Sequence, residues 1–186
     1  MKKKVFKSSN AFVALFVASM FFATNASAQQ QQGDMAFGGH ISQYLESGFS
    51  LTGIGAKFRY TIIEQTRVEG VFTYFFPKEV ARFMGISGNV SMVDFSVNAH
   101  YLFPIADRLT LYPLVGLGIL GLRATVSGGG ASVRNSENHV ILNIGGGADI
   151  KVADNISINI EPKLLRTFDN DTRGGFIISA GVIFNF

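Results

Sequence analysis

His40-Ile41-Ser42 sets an imidazole base and a hydroxyl two residues apart. In an extended chain such residues share a face, so the histidine could take the serine proton, with Glu46 or a residue of a neighbouring strand as the orienting acid. Gly116-Leu117-Gly118-Ile119-Leu120-Gly121 matches the G-x-G-x-x-G string of dinucleotide-binding turns. That chemistry needs the glycines to open a helix whose N-terminus meets a pyrophosphate, and the continuation Leu122-Arg123-Ala124-Thr125-Val126-Ser127 is no helix. Asp169-Asn170-Asp171 offers oxygen ligands for calcium, but without the other ligands of an EF-type loop it reads as a solvated turn. With no cysteine, a disulfide scaffold, a thiolate metal site and a cysteine nucleophile are excluded. No cofactor or metal is expected.

The largest set of reactive groups is a scatter of charges at alternate positions of otherwise apolar segments: Lys57, Arg59, Arg67, Glu69, Asp94, His100, Asp149, Lys151, Glu161 and Lys163. Such groups can pair with one another, provided that something brings them together. What positions them is a run of strands. In Val93-Asp94-Phe95-Ser96-Val97-Asn98-Ala99-His100-Tyr101 one alternate set is apolar and the other polar, and Ile156-Ser157-Ile158-Asn159-Ile160-Glu161 repeats the split. Eight such segments are expected, at about 34–45, 49–60, 67–76, 91–103, 109–122, 139–152, 156–166 and 174–186. Their connectors alternate. Thr61–Thr66, Pro104–Arg108 and Ala153–Asn155 are turn-like, whereas Pro77–Val90, Arg123–Asn138 and Thr167–Arg173 are longer and read as loops. Strand lengths near the roughly 9–11 residues of a tilted membrane-spanning strand, an even count, and short turns on one side give an all-β fold. It is an eight-stranded antiparallel up-and-down transmembrane β-barrel.

Which face turns inward follows from charge. Eight strands leave a lumen only wide enough for side chains. Ten ionisable groups of mixed sign fit there as a network of ion pairs, while the aromatic and aliphatic face suits lipid. The lumen is therefore expected to be polar. Pro113 and Pro162 fall inside strands and should each bring a bulge or a break in pairing. Short turns mark the periplasmic side of such a barrel and longer loops the outer side; tryptophan is absent, so Tyr60, Tyr101, Phe58, Phe103, Phe184 and Phe186 would have to form the periplasmic aromatic rim.

The formal charge of +3 looks at first like an invitation to nucleic acid. Four of the 16 basic residues, however, are Lys2, Lys3, Lys4 and Lys7, ahead of an apolar run from Ala11 to Ala23 and an A-x-A site ending at Ala28. That order is a cleavable secretory signal peptide, residues 1–28, before a barrel domain of residues 29–186. Its removal leaves 16 − 4 = 12 basic and 13 acidic side chains, a net charge of −1, and no case for nucleic acid.

Phe37-Gly38-Gly39-His40, Ile54-Gly55-Ala56-Lys57-Phe58-Arg59-Tyr60, Tyr112-Pro113-Leu114-Val115-Gly116-Leu117-Gly118 and Leu142-Asn143-Ile144-Gly145-Gly146-Gly147 resemble the outer membrane protein β-barrel domain family of small porin-like barrels. The ending Val182-Ile183-Phe184-Asn185-Phe186 resembles the signal read by the outer-membrane assembly machinery, through Phe184 and Phe186. The resemblance implies a cell outer-membrane location, lipid and that machinery as partners, and a porin-like or structural role without catalysis. His40-Ile41-Ser42 also resembles the His-x-Ser spacing of outer-membrane lipid A deacylases. The alternatives are thus a lipid A-modifying hydrolase, and an adhesin acting through Pro77–Val90 and Arg123–Asn138.

Overall fold

Alternation alone makes each segment amphipathic across its two faces, and a sheet of such strands hides both its edges and its polar face only by closing on itself. The structure, a computed structural model, describes residues 32–83, 86–128, 131–168 and 174–186. The expected leader, Asp169-Asn170-Asp171 and Gly129-Gly130 lie outside the described residues. The strands are β1 (Met35–Glu46), β2 (Phe49–Ile63), β3 (Thr66–Phe83), β4 (Ile86–Tyr101), β5 (Phe103–Ala106), β6 (Leu109–Gly128), β7 (Ala131–Ala153), β8 (Ile156–Thr167) and β9 (Gly174–Asn185). All neighbours are antiparallel, and β1 pairs with both β2 and β9, from Ala36↔Asn185 to Leu45↔Phe176. The ring is completed where β4 pairs with β6. The short β5 continues β4 on the same stave after a gap at Leu102, so the nine strands make an eight-stave closed barrel.

That gap has a covalent cause. The register of β4 on β6 ends at His100↔Leu114 and resumes in β5 at Phe103↔Leu111, so two pairs are missing, Tyr101 opposite Pro113 and Leu102 opposite Tyr112, and the first of them faces a proline with no N–H to give. Pro162 interrupts the β7–β8 ladder in the same way, between Gly145↔Lys163 and Ala148↔Ile160, without shifting the register. Each proline thus produces a break rather than a bulge.

The outer connections differ from the loops expected from their composition. The described residues of Pro77–Val90 are strand, pairing to Phe83↔Ile86, and those of Arg123–Asn138 continue the β6–β7 ladder to Gly128↔Ala131 in unbroken register. Both are hairpins that prolong the barrel wall past the apolar belt. Serine, asparagine and glycine dilute the alternation there, because strands standing in water need no apolar face. Between β1 and β2 the chain turns in two residues, Ser47 and Gly48, with Gly48 in the left-handed region at φ 76°.

The apolar set faces outward. Phe95, Val97, Tyr101, Ile158 and Ile160 are exposed, whereas Asn98 and Asn159 on the alternate face are 0% exposed. At the periplasmic rim Tyr60, Tyr101, Phe58, Phe184 and Phe186 are exposed, and Phe103 is half-buried. The Tyr101 hydroxyl donates to Gln65 Oε1 in the β2–β3 turn at 2.7 Å, and its ring meets Phe103 at 4.8 Å.

Candidate functional site

Inward positions of the periplasmic half bring together the charges that alternation scattered along the chain. Arg59 and Glu69 are direct cross-strand partners of the β2–β3 hairpin, and Arg59 Nε donates to Glu69 Oε2 at 2.6 Å. The same guanidinium reaches across the lumen to both Asp149 oxygens at 3.1 Å, and Arg67 Nη1 also donates to Asp149 Oδ2 at 2.9 Å. Lys57 Nζ lies 2.9 Å from Glu161 and 3.8 Å from Glu69, and donates to Asn159 Oδ1 at 3.0 Å. Above them Lys163 pairs with Asp94 at 3.1 Å. Four cations (Lys57, Arg59, Arg67, Lys163) therefore face four carboxylates (Glu69, Asp94, Asp149, Glu161). A balance of this kind offsets the desolvation that would otherwise forbid charges in so narrow a space.

Two of the ten residues behave differently. His100 is an acceptor: Arg67 Nε donates to its Nδ1 at 3.3 Å, while the ring stacks on Tyr112 with centroids 4.4 Å apart and planes 12° from parallel. Lys151 stays outside the network, because two residues beyond Asp149 the strand has reached the periplasmic mouth. It pairs there with solvent-exposed Asp154 at 3.9 Å.

Tyr112, absent from the sequence-based set, is the hub. Its hydroxyl donates to Glu161 Oε2 at 2.9 Å and accepts from Asn159 at 2.7 Å, and the Arg67 guanidinium sits 4.9 Å from its ring centre. The signal was present in the alternation, since Tyr112 shares a face with Thr110, Gly116 and Gly118 while Leu111, Val115 and Leu117 take the other. A Cβ at Gly147 would collide with the Tyr112 ring, so the glycine run of β7 makes room for it. Asn98 and Asn159, which the alternation puts on the inward face, and Asn143 are fully buried and join the network: Asn143 donates to Asn98 at 3.2 Å, and Asn98 to Glu69 at 3.5 Å.

The expectation of a polar lumen holds for the periplasmic half and not for the outer one. Towards the outer end Tyr44, Leu51, Phe75, Met92, Leu120, Ile141, Leu165 and Ile177 form one buried apolar cluster. Each comes from a different stave, so the layer spans the complete cross-section. Tyr44 packs edge-on against Phe75 at 6.2 Å and directs its hydroxyl to Glu46 at 2.8 Å.

Neither reactive motif assembles a catalytic group. His40 Nε2 lies 3.0 Å from Thr73 Oγ1, and Ser42 Oγ bonds Ser179 Oγ at 2.7 Å, so base and hydroxyl are engaged separately, inside the lumen and away from lipid. The G-x-G-x-x-G string is a strand, with Gly116 and Gly118 packed beneath Asn98 and Ser96 of β4. Glu69, His100 and Glu161 converge closely enough to hold a metal ion, but the Lys57 ammonium already stands between the two carboxylates.

A family model described as the outer membrane protein beta-barrel domain matches residues 14–184. No match was found among curated protein sequences. Among solved structures, Ail, the attachment invasion locus protein of Yersinia pestis, in complex with the heparin analogue sucrose octasulfate, aligns with TM-score 0.59 and 22% identity, over 84% of this chain and all of its own. OprG of Pseudomonas aeruginosa gives 0.57 at 14% identity, over 86% of this chain and 99% of its own. The N-terminal barrel of Pseudomonas aeruginosa OprF gives 0.55 at 18%, over 84% and 100%.

Proposed function

Since the chain belongs to the outer membrane protein β-barrel domain family, and is an outer-membrane barrel, we propose that it works as a non-catalytic, sealed barrel rather than an open channel or an enzyme. The observation that carries this reading is the double closure of the lumen. The charge network fills the periplasmic half, and the eight-residue apolar layer crosses the outer half. Ions crossing such a path would have to break paired charges and then enter a dry constriction. The contribution to the cell is then structural, by spanning the membrane, and superficial, by presenting hairpins outside it. Separate engagement of His40 and Ser42 supports the absence of hydrolase chemistry.

Single-channel recording of the protein in planar bilayers tests the seal: closed or very small conductance is expected, and large stable currents would overturn it. Unchanged lipid A mass spectra in a deletion strain are the matching expectation for catalysis. The leader reading of residues 1–28 rests on the sequence, with Phe184 and Phe186 as the mark for assembly. N-terminal sequencing of the membrane-inserted protein, and insertion yields of a Phe186→Ala variant, test the two.

Surface attachment is a second reading, favoured by the β3–β4 and β6–β7 hairpins that stand beyond the belt. Ail, which shares the fold, has been seen with a heparin analogue. Loss of cell or glycan binding on shortening these hairpins would support it.

A further inference from the structure

The outer wall carries a concavity that the lumen does not explain. It lies across β3, β4, β6 and β7, where the registers align three rows of outward residues. The lowest is Phe95↔Ile119↔Val140, exposed and apolar. The middle row is Tyr74↔Val93↔Gly121↔Asn138, and the upper is Ser91↔Arg123↔Ser136. Gly121 has no side chain in a row where its neighbours do, which makes the notch, and the groove is lined by residues of all three rows. Polarity along it is graded, with hydrocarbon contact below and a guanidinium and two hydroxyls above.

Arg123 is exposed, and its cross-strand neighbour is a serine. Glu137, the nearest acid on the facing strand, alternates to the other face, where it meets Asn135 and His139. On β6 the outward residues below Gly121 are Leu111, Pro113, Val115, Leu117 and Ile119, so Arg123 stands where the apolar belt ends on its outer side.

We propose that this groove is a site for one lipid of the outer leaflet that carries an anionic phosphate headgroup. The headgroup pairs with Arg123 and hydrogen-bonds Ser136 and Asn138, while an acyl chain descends through the Gly121 notch over Phe95 and Ile119. A guanidinium at the head of an apolar track matches a phosphorylated amphiphile, since phosphate suits its forked donors and the chain covers the track. The inference rests on membrane insertion of the barrel, and its test separates the two.

The protein is reconstituted in phosphatidylcholine nanodiscs with a minor share of bisphosphorylated lipid A, and the lipid A retained per barrel after transfer to detergent is counted by native mass spectrometry. Heat-modified gel migration reports insertion independently. Arg123→Gln and Gly121→Leu should insert normally and retain about tenfold less, the loss of roughly one charge-assisted interaction. Arg108→Gln, at a periplasmic turn, should retain as much as the parent. Dephosphorylated lipid A should be lost from the parent as well, and inorganic phosphate should not compete. Equal retention by Arg123→Gln, or equal retention of the dephosphorylated lipid, would overturn the site; failure of the parent to insert would instead overturn the barrel reading.

Discussion

The two halves of the lumen are closed by opposite chemistry on the same scaffold. In the periplasmic half, four cations and four carboxylates are held by direct contacts as short as 2.6 Å, and the Tyr112 hydroxyl ties β6 to β8 through Glu161 and Asn159 and to β2 by accepting from Arg59 Nη2 at 3.3 Å. In the outer half, one apolar side chain from each stave fills the section. The charged half is specific but conditional: each member is tolerated only because its partners are present, and removing one strands another in low dielectric. The apolar half has no such dependence, so losing a methyl group costs only packing. The same geometry therefore gives a brittle layer and a forgiving one.

The sharpest way to break that contrast is Glu69→Ala, which deprives both Arg59 and Lys57 of a carboxylate. A loss of about 3–5 kcal/mol is expected, read as a lowered urea midpoint of the barrel in lipid vesicles. An unchanged midpoint would mean that water, not pairing, solvates these charges.

Tyr112→Phe probes the hub with the ring kept. Glu161 and Asn159 each lose a partner, and about 1–3 kcal/mol should go with the hydroxyl while His100 stacking persists. In the apolar layer Ile141→Val should cost about 0.5–1.5 kcal/mol and leave conductance closed, since the network beneath still blocks the path. Currents appearing in this variant would show that the apolar layer alone is the seal. The smallest effect belongs to Lys151→Ala, which should leave the unfolding midpoint where it was, because its ion pair with Asp154 is solvent-exposed at the open mouth.

Much of this is legible in the sequence alone. Alternation gives the strand faces, the positions of Lys57, Arg59 and Glu69 around the Thr61–Thr66 turn make their meeting predictable, and the prolines mark where ladders must break. The outer hairpins were not legible, because composition suggests a loop wherever a strand has no lipid to face. Leu51, Met92, Ile141 and Ile177 were not legible as a layer either. Each reads locally as one more apolar residue among apolar neighbours.

What the sequence determined by itself is therefore everything with a period of two: that the chain forms strands, which face is wet, and that charges lie on the inner one. Only closure decided which of those charges meet across the lumen, such as Arg59 with Asp149, 90 residues apart, and that eight unrelated apolar positions stand at one height. Height in a barrel depends on the registers of all eight pairings together, and no single segment of the chain carries that sum.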